Sequence, residues 1–167
     1  MPVPSVKELA SESAIHGVVL ISGLLVIVAN QADAATHEVL VKVLATAGVF
    51  WMAHVYSGAV AHLGDHVEEG DRVRDQIGRA LGGSLRHSWG MLAAAAIPLV
   101  LLGLGSVGAI GHEQAIWSTL WVDVAILGLL GYLGVARWTP RELPRLIGGL
   151  CTAAIGVLMI ALKALIH

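Results

Sequence analysis

Long apolar stretches separated by short polar connections dominate this chain. We expect it to be organised around the second stretch, residues 37–64, which is apolar over most of its length and yet carries histidines. At a rise of about 1.5 Å per residue, a helix of this length crosses a bilayer core of about 30 Å. Four other stretches have a similar pattern, so the sequence predicts five transmembrane helices. They cover residues 13–30, 37–64, 87–110, 114–136 and 145–165.

Composition supports an integral membrane protein. Of the 167 residues, 56% are apolar and 13% are charged, whereas an average soluble domain has about 25% charged residues. The net charge of -2 gives no reason to expect a nucleic-acid partner. The single cysteine, Cys151, excludes an intrachain disulfide and a CxxC-type metal or haem motif. We therefore predict an all-α membrane protein with one transmembrane helical domain, residues 1–167.

Arginines are concentrated in two of the four connections between the apolar stretches. The connections at 31–36 and 111–113 contain neither Lys nor Arg. By the positive-inside rule, the arginine-bearing connections are cytoplasmic, which places the N-terminus inside and the C-terminus outside. This predicts a multi-pass protein of the plasma membrane. The arginines concerned are Arg72, Arg74, Arg79, Arg86, Arg137, Arg141 and Arg145.

The connection at 65–86 has helical periodicity of its own. Apolar residues recur at Val73, Ile77, Leu81 and Leu85, among several charged side chains. Such a pattern is typical of an amphipathic helix that lies in a membrane interface. We predict an amphipathic cytoplasmic helix between the second and third spans, and a partner-binding arm is the alternative.

Small residues recur at close-packing intervals in three of the predicted spans. In lipid, such rows allow two helix backbones to approach closely. The rows fit packing within one chain and also a homo-oligomer, which we favour because five helices alone enclose little interior. The rows are Ala53, Ser57 and Ala61; Gly128, Gly131 and Gly134; and Gly148, Thr152 and Gly156.

Four ionisable residues predict a path for a proton or a small cation. Asp123 is placed about a third of the way in from the outer face, and His54 is deeper, in the inner half. Glu12 and His16 are four residues apart on one helical face at the inner boundary. Ionisable groups inside a membrane are costly and commonly mark transport pathways. We assign Asp123 as the outer station, His54 as the relay, and Glu12 with His16 as the inner exit.

Structural roles are the alternative for the same residues. Lys42 and Lys163 lie in the outer third of their stretches, so either one can form a structural ion pair with Asp123. A buried histidine also finds hydrogen-bond partners for purely structural reasons. His54 would then bond to Tyr56 of a neighbouring chain or to a backbone carbonyl.

A metal or haem site is the third alternative. His54 and His62 are eight residues apart, about 12 Å along a helix, so they cannot ligate one small ion. His62 and His66 have a suitable spacing, and Asp65 with His87 would complete a zinc site. Two-histidine haem ligation requires facing histidines at matched depth on different helices, and His16 with His54 is the only, weak option. Our prediction is that the protein has no resident metal or cofactor, with zinc or haem as the alternative.

Three segments, SESAIHGVVLISG, FWMAHVY and LMIALKALIH, resemble segments of small uncharacterised actinobacterial integral membrane proteins. The resemblance implies a bacterial membrane protein and assigns no role to any residue. From the residues themselves we predict a polytopic membrane protein that mediates or couples the movement of a proton or small cation. A non-transporting scaffold or ligand sensor is the alternative, followed by an intramembrane metal or haem protein.

Overall fold

Five α-helices make up the described part of the chain. The structure, a computed structural model, describes residues 12–29, 35–61, 63 and 73–166. Within these ranges there is no β-strand, and the predicted all-α class is confirmed. Four of the helices, α2 to α5, are long and apolar enough to cross a membrane, whereas α1 is apolar but shorter. The helices are α1 (Glu12–Ala29), α2 (Thr36–Ala61), α3 (Val73–Ser106), α4 (His112–Ala136) and α5 (Glu142–Ile166).

The short helix α1 lies at the centre of the bundle. It packs against all four of the other helices, and its side chains Val18 and Leu25 are fully buried. At Gly17 a side chain would lie 2.6 Å from Cγ of Met91, so glycine permits α1 and α3 to approach closely. The organising helix is therefore α1, and our expectation for the stretch at 37–64 is wrong. Lipid-facing and core-facing positions are both apolar, so hydropathy alone does not distinguish a central helix from a peripheral one.

Helix α3 is continuous from Val73 to Ser106, where we predicted a separate surface helix followed by a span. At 34 residues it is about 51 Å long. The apolar stripe at Val73, Ile77, Leu81 and Leu85 is exposed. The opposite face packs into the bundle through mainly small residues, so the large apolar residues of this segment mark the outward face. Its buried positions include Ala80, Ser84, Ser88, Met91, Ala95, Pro98, Leu102 and Gly105.

A tight turn joins α3 to α4. Gly108 has a φ of +76°, in the left-handed region that glycine adopts without steric cost. The backbone N–H of Ala109 donates to the carbonyl of Leu104 at 3.0 Å and closes the end of the helix. This turn places His112, the first residue of α4, beside Thr36, the first of α2, with 2.6 Å between Oγ1 of Thr36 and Nδ1 of His112.

Helices α4 and α5 form an antiparallel pair with close backbone contact. A side chain at Gly131 would meet Oγ1 of Thr152 and the carbonyl oxygen of Gly148. The Thr152 hydroxyl lies 2.8 Å from the carbonyl of Leu127, across the pair. The small-residue rows of α4 and α5 therefore serve packing within the chain, although a side chain added at Gly134 would meet no atom within 4 Å. The row of α2 is exposed at Ala53, Ser57 and Ala61.

Candidate functional site

A buried carboxyl group on α4 meets a buried hydroxyl group on α1. Asp123 and Ser22 are both 0% exposed. Oγ of Ser22 lies 2.6 Å from Oδ2 of Asp123 and 3.0 Å from the backbone carbonyl oxygen of Val18. A serine hydroxyl has a single proton to donate, so it cannot donate to both acceptors at once. The hydrogen bonding of this pair thus depends on whether the carboxyl group carries a proton.

The second oxygen of the same carboxyl group is one of three buried side-chain polar atoms without a hydrogen-bond partner in the described residues, with Nε1 of Trp51 and Oγ of Ser84. Oδ1 of Asp123 has no hydrogen-bond partner within the described ranges. Buried carboxylate oxygens are normally hydrogen-bonded, and an exception in a native structure calls for an explanation. An ionised carboxylate with one hydrogen bond in an apolar bundle is costly unless a proton or a cation neutralises it.

Apolar clusters enclose the Asp123–Ser22 pair at both ends. On one side are Ile21 and Leu25 of α1 with Ile116 and Leu120 of α4, in a cluster that includes residues of α2 and α3. On the other side the cluster consists chiefly of Ala14, Val18, Leu127 and Leu130. The same two clusters therefore lie on either side of Ser22 along α1 and on either side of Asp123 along α4. The carboxyl group is closed off from both ends of the bundle.

His54 belongs to a second polar layer, together with His87 of α3. Their ring centroids are 6.4 Å apart and their planes are inclined by 17°. Oγ of Ser13, on α1, donates to the backbone carbonyl of His87 at 2.8 Å and so fixes the depth of this layer. Ser13 and Ser22 are nine residues apart, which separates the two layers by about 13 Å along α1. The described contact of His54 is a second histidine ring, and a hydrogen bond to Tyr56 of a neighbouring chain or to a carbonyl stays a prediction.

Of the other two predicted pathway residues, the side chain of His16 is described and has no described hydrogen bond with Asp123. His16 is exposed on α1, and the side chain of Glu12 lies outside what the structure describes. The apolar cluster of Ala14, Val18, Leu127 and Leu130 separates Asp123 from the layer of His54. The structure therefore describes two separate polar pairs, Asp123–Ser22 and His54–His87.

The two lysines predicted as ion-pair partners occupy different environments. Lys163 is 1% exposed and Lys42 is exposed, and each has an interaction of its own. The described contacts of Asp123 include neither of them. A structural ion pair with Lys42 or Lys163 stays a prediction.

For a metal or haem, the described residues offer a histidine pair. Within these residues no group of three or more His, Cys, Asp or Glu side chains is placed to hold a metal ion. His62 and His66, which we considered for zinc with His87, lie outside the described residues. His87 instead faces His54. The prediction of no resident metal or cofactor, with zinc or haem as the alternative, stays a prediction.

Sequence reasoning identified Asp123 and His54 but missed their partners. Ser22 is a single hydroxyl in an apolar stretch, and the usual interpretation of such a serine is a bond to its own helix. His87 was considered for metal binding without reference to His54. The sequence does contain one indication of this pair, because Ser22 and Asp123 have similar predicted depths in the first and fourth spans.

Comparison with protein-family models, with curated proteins and with solved structures finds no match for this chain.

Proposed function

We propose that this protein crosses the membrane five times and couples the movement of a proton to a change between conformations, with Asp123 as the proton carrier. The observation that carries the proposal is the buried carboxyl group whose Oδ2 meets Ser22 and whose Oδ1 has no described partner. Intramembrane carboxyl groups of this kind are typical of proton relays in pumps and transporters.

Hydrogen-bond accounting favours a proton over a metal cation as the species bound. With a proton on Oδ2, Asp123 donates to Oγ of Ser22, and the Ser22 hydroxyl is then free to donate to the carbonyl of Val18. Both short contacts, 2.6 Å and 3.0 Å, are satisfied together only in this state. A sodium-sized cation would require several more oxygen ligands than the described residues supply here.

The apolar clusters on both sides support an occluded carrier in preference to an open channel. A proton can reach Asp123 only when one of the two clusters loosens. Coupled transport requires in addition that the two clusters do not loosen at the same time. We assign the His54–His87 pair as the inner station, because the two rings face each other in a polar layer separate from Asp123. Glu12 and His16 would then serve as the inner exit, as the sequence predicts.

Three further parts of the proposal come from the sequence. The arginine connections put the N-terminus in the cytoplasm and the C-terminus outside. The membrane is the plasma membrane of a bacterium, consistent with the actinobacterial resemblance. The exposed row on α2, at Ala53, Ser57 and Ala61, supports a homo-oligomer. A non-transporting scaffold or sensor is the competing function, because cross-helix polar pairs also stabilise a static bundle.

Proton flux into vesicles tests the proposal. Purified protein is reconstituted with a trapped pH-sensitive dye, and a pH gradient or a membrane potential is applied. We expect flux above that of protein-free vesicles, loss of this flux in Asp123→Asn, and a strong reduction in His54→Phe. Asp75→Asn is the matched control, since Asp75 is an exposed acidic residue in the first turn of α3, and its flux should equal that of the wild type.

Two outcomes would overturn the transport role. Flux that is equal in the wild type and in Asp123→Asn would remove the carboxyl group from the pathway. Wild-type vesicles that match protein-free vesicles under both driving forces would favour the scaffold. In that case Asp123→Asn should change thermal stability only.

A further inference from the structure

An open groove lies where α4 ends and α5 begins. Its volume is about 510 Å³, and its apolar wall includes Val135, Leu143 and Ile147. Trp138 and Arg141 stand at its polar side. Trp138 is 81% exposed, and its indole N–H donates to the carbonyl of Gly134 at 3.1 Å, which holds the ring against the end of α4. Tryptophan in such a position is typical of the boundary between hydrocarbon and headgroups.

The charge beside this groove is positive. The segment RWTPRELPR, residues 137–145, contains three arginines and one acidic residue, Glu142. Glu142 is engaged by Arg145 at 3.0 Å and by the Tyr132 hydroxyl at 2.7 Å. Arg145 also donates to the carbonyl of Thr139 at 3.0 Å. Arg141 is exposed and lines the groove itself, so it is the cation that an anion entering the groove would meet.

We infer that this groove binds an acidic phospholipid, with its phosphate on the Arg141 guanidinium and an acyl chain along Val135, Leu143 and Ile147. A guanidinium donates two parallel hydrogen bonds to phosphate oxygens, which fixes the headgroup as well as attracting it. A free phosphate ion would use the arginine but not the apolar wall. Basic pockets at the ends of membrane helices bind anionic headgroups by this combination of charge and apolar contact.

Lipid retention during native mass spectrometry tests the inference. The full chain is purified from mixed micelles containing equal amounts of phosphatidylglycerol and phosphatidylcholine. We expect selective retention of phosphatidylglycerol, reduced about fivefold in Arg141→Gln, since one interfacial arginine contributes on that order. Arg74→Gln is the matched control, because Arg74 is exposed on α3 outside the groove, and it should retain lipid as the wild type does.

A second variant separates the two possible sources of phosphate. Ile147→Asn changes the apolar wall, where the native side chain is 52% exposed, and should lower phosphatidylglycerol retention without removing any arginine. Equal retention of the two lipids by the wild type would overturn the inference. So would wild-type retention in Arg141→Gln, or full displacement of the lipid by millimolar inorganic phosphate. The inference does not rest on proton movement, since none of these residues contacts Asp123.

Discussion

Polar side chains inside this bundle act as links between helices. Ser22 joins α1 to Asp123 of α4, Thr36 joins α2 to His112, and Thr152 joins α5 to the carbonyl of Leu127. In a membrane such links contribute about 0.6 kcal/mol on average and reach about 1.7 kcal/mol. Each link is therefore modest, and the close backbone contacts that surround them matter at least as much.

Gly131 provides a residue-scale test of that balance. In Gly131→Ala the new methyl group would meet Thr152 and the carbonyl of Gly148. Because both neighbours belong to the α4–α5 contact, the helices must separate, and we expect a loss of about 1–3 kcal/mol in stability. The measurement is thermal or denaturant unfolding in detergent, followed by circular dichroism.

The matched control lies one turn further along α4. Gly134 is also a helical glycine, but no atom would lie within 4 Å of its added methyl group. Gly134→Ala should be neutral or stabilising by about 0.5–1 kcal/mol, the usual difference between glycine and alanine in a helix interior. If both variants lose stability equally, the loss does not come from the α4–α5 contact.

At the scale of elements, α3 has the clearest consequence. A straight helix separates Ile77 and Ile97 by about 30 Å, whereas a right-angled bend near residue 87 would reduce this to about 21 Å. Both side chains are exposed, at 42% and 53%, so spin labels fit at both positions. With the exposed Cys151 replaced by alanine, we expect double electron–electron resonance to give the longer distance. A distribution centred near the shorter value would support the predicted surface helix instead.

The presence of the helices was predictable from the sequence, whereas their positions in the bundle and the faces that pack inward were not. The apolar stretches are long, and length with hydropathy identifies a helix in lipid regardless of its neighbours. Which face of a helix packs inward was not predictable in this way. In α3 the small residues Ala80, Ser84 and Ser88 pack inward. The larger Ile77, Leu81 and Leu85 face outward. In water the larger apolar residues would face the core, whereas here the smaller residues do.

At the scale of the whole molecule, the arginine asymmetry predicts one topology. Cysteines introduced singly at Glu69 and after His167, in a Cys151→Ala background, should react with an impermeant maleimide from opposite sides of intact cells. The first should be protected until the cells are opened, since it lies in an arginine-bearing connection. Labelling of both positions from the same side would require an even number of spans between them, in place of the predicted three.

How much of the site could be predicted also depends on the whole molecule. Asp123 is conspicuous in its stretch because any carboxyl group in hydrocarbon is costly. Its partner Ser22 is a hundred and one residues away, and only the packing of α1 against α4 brings them together. The same is true of His54 and His87, whose contact requires α2 and α3 to lie at a particular depth. Long-range pairs of this kind leave no periodic pattern in a single sequence.

The central position of α1 has a consequence for synthesis of the protein. α1 precedes the other four helices along the chain, yet it packs against all of them. During translation the Ser22 hydroxyl can donate only to the carbonyl of its own helix, that of Val18, until α4 is inserted with Asp123. The ribosome must add roughly a hundred residues before this pair can form. An intermediate that stops after α3 therefore holds a central helix that is only partly enclosed, and membrane proteases and insertion chaperones would encounter that intermediate before the finished bundle exists.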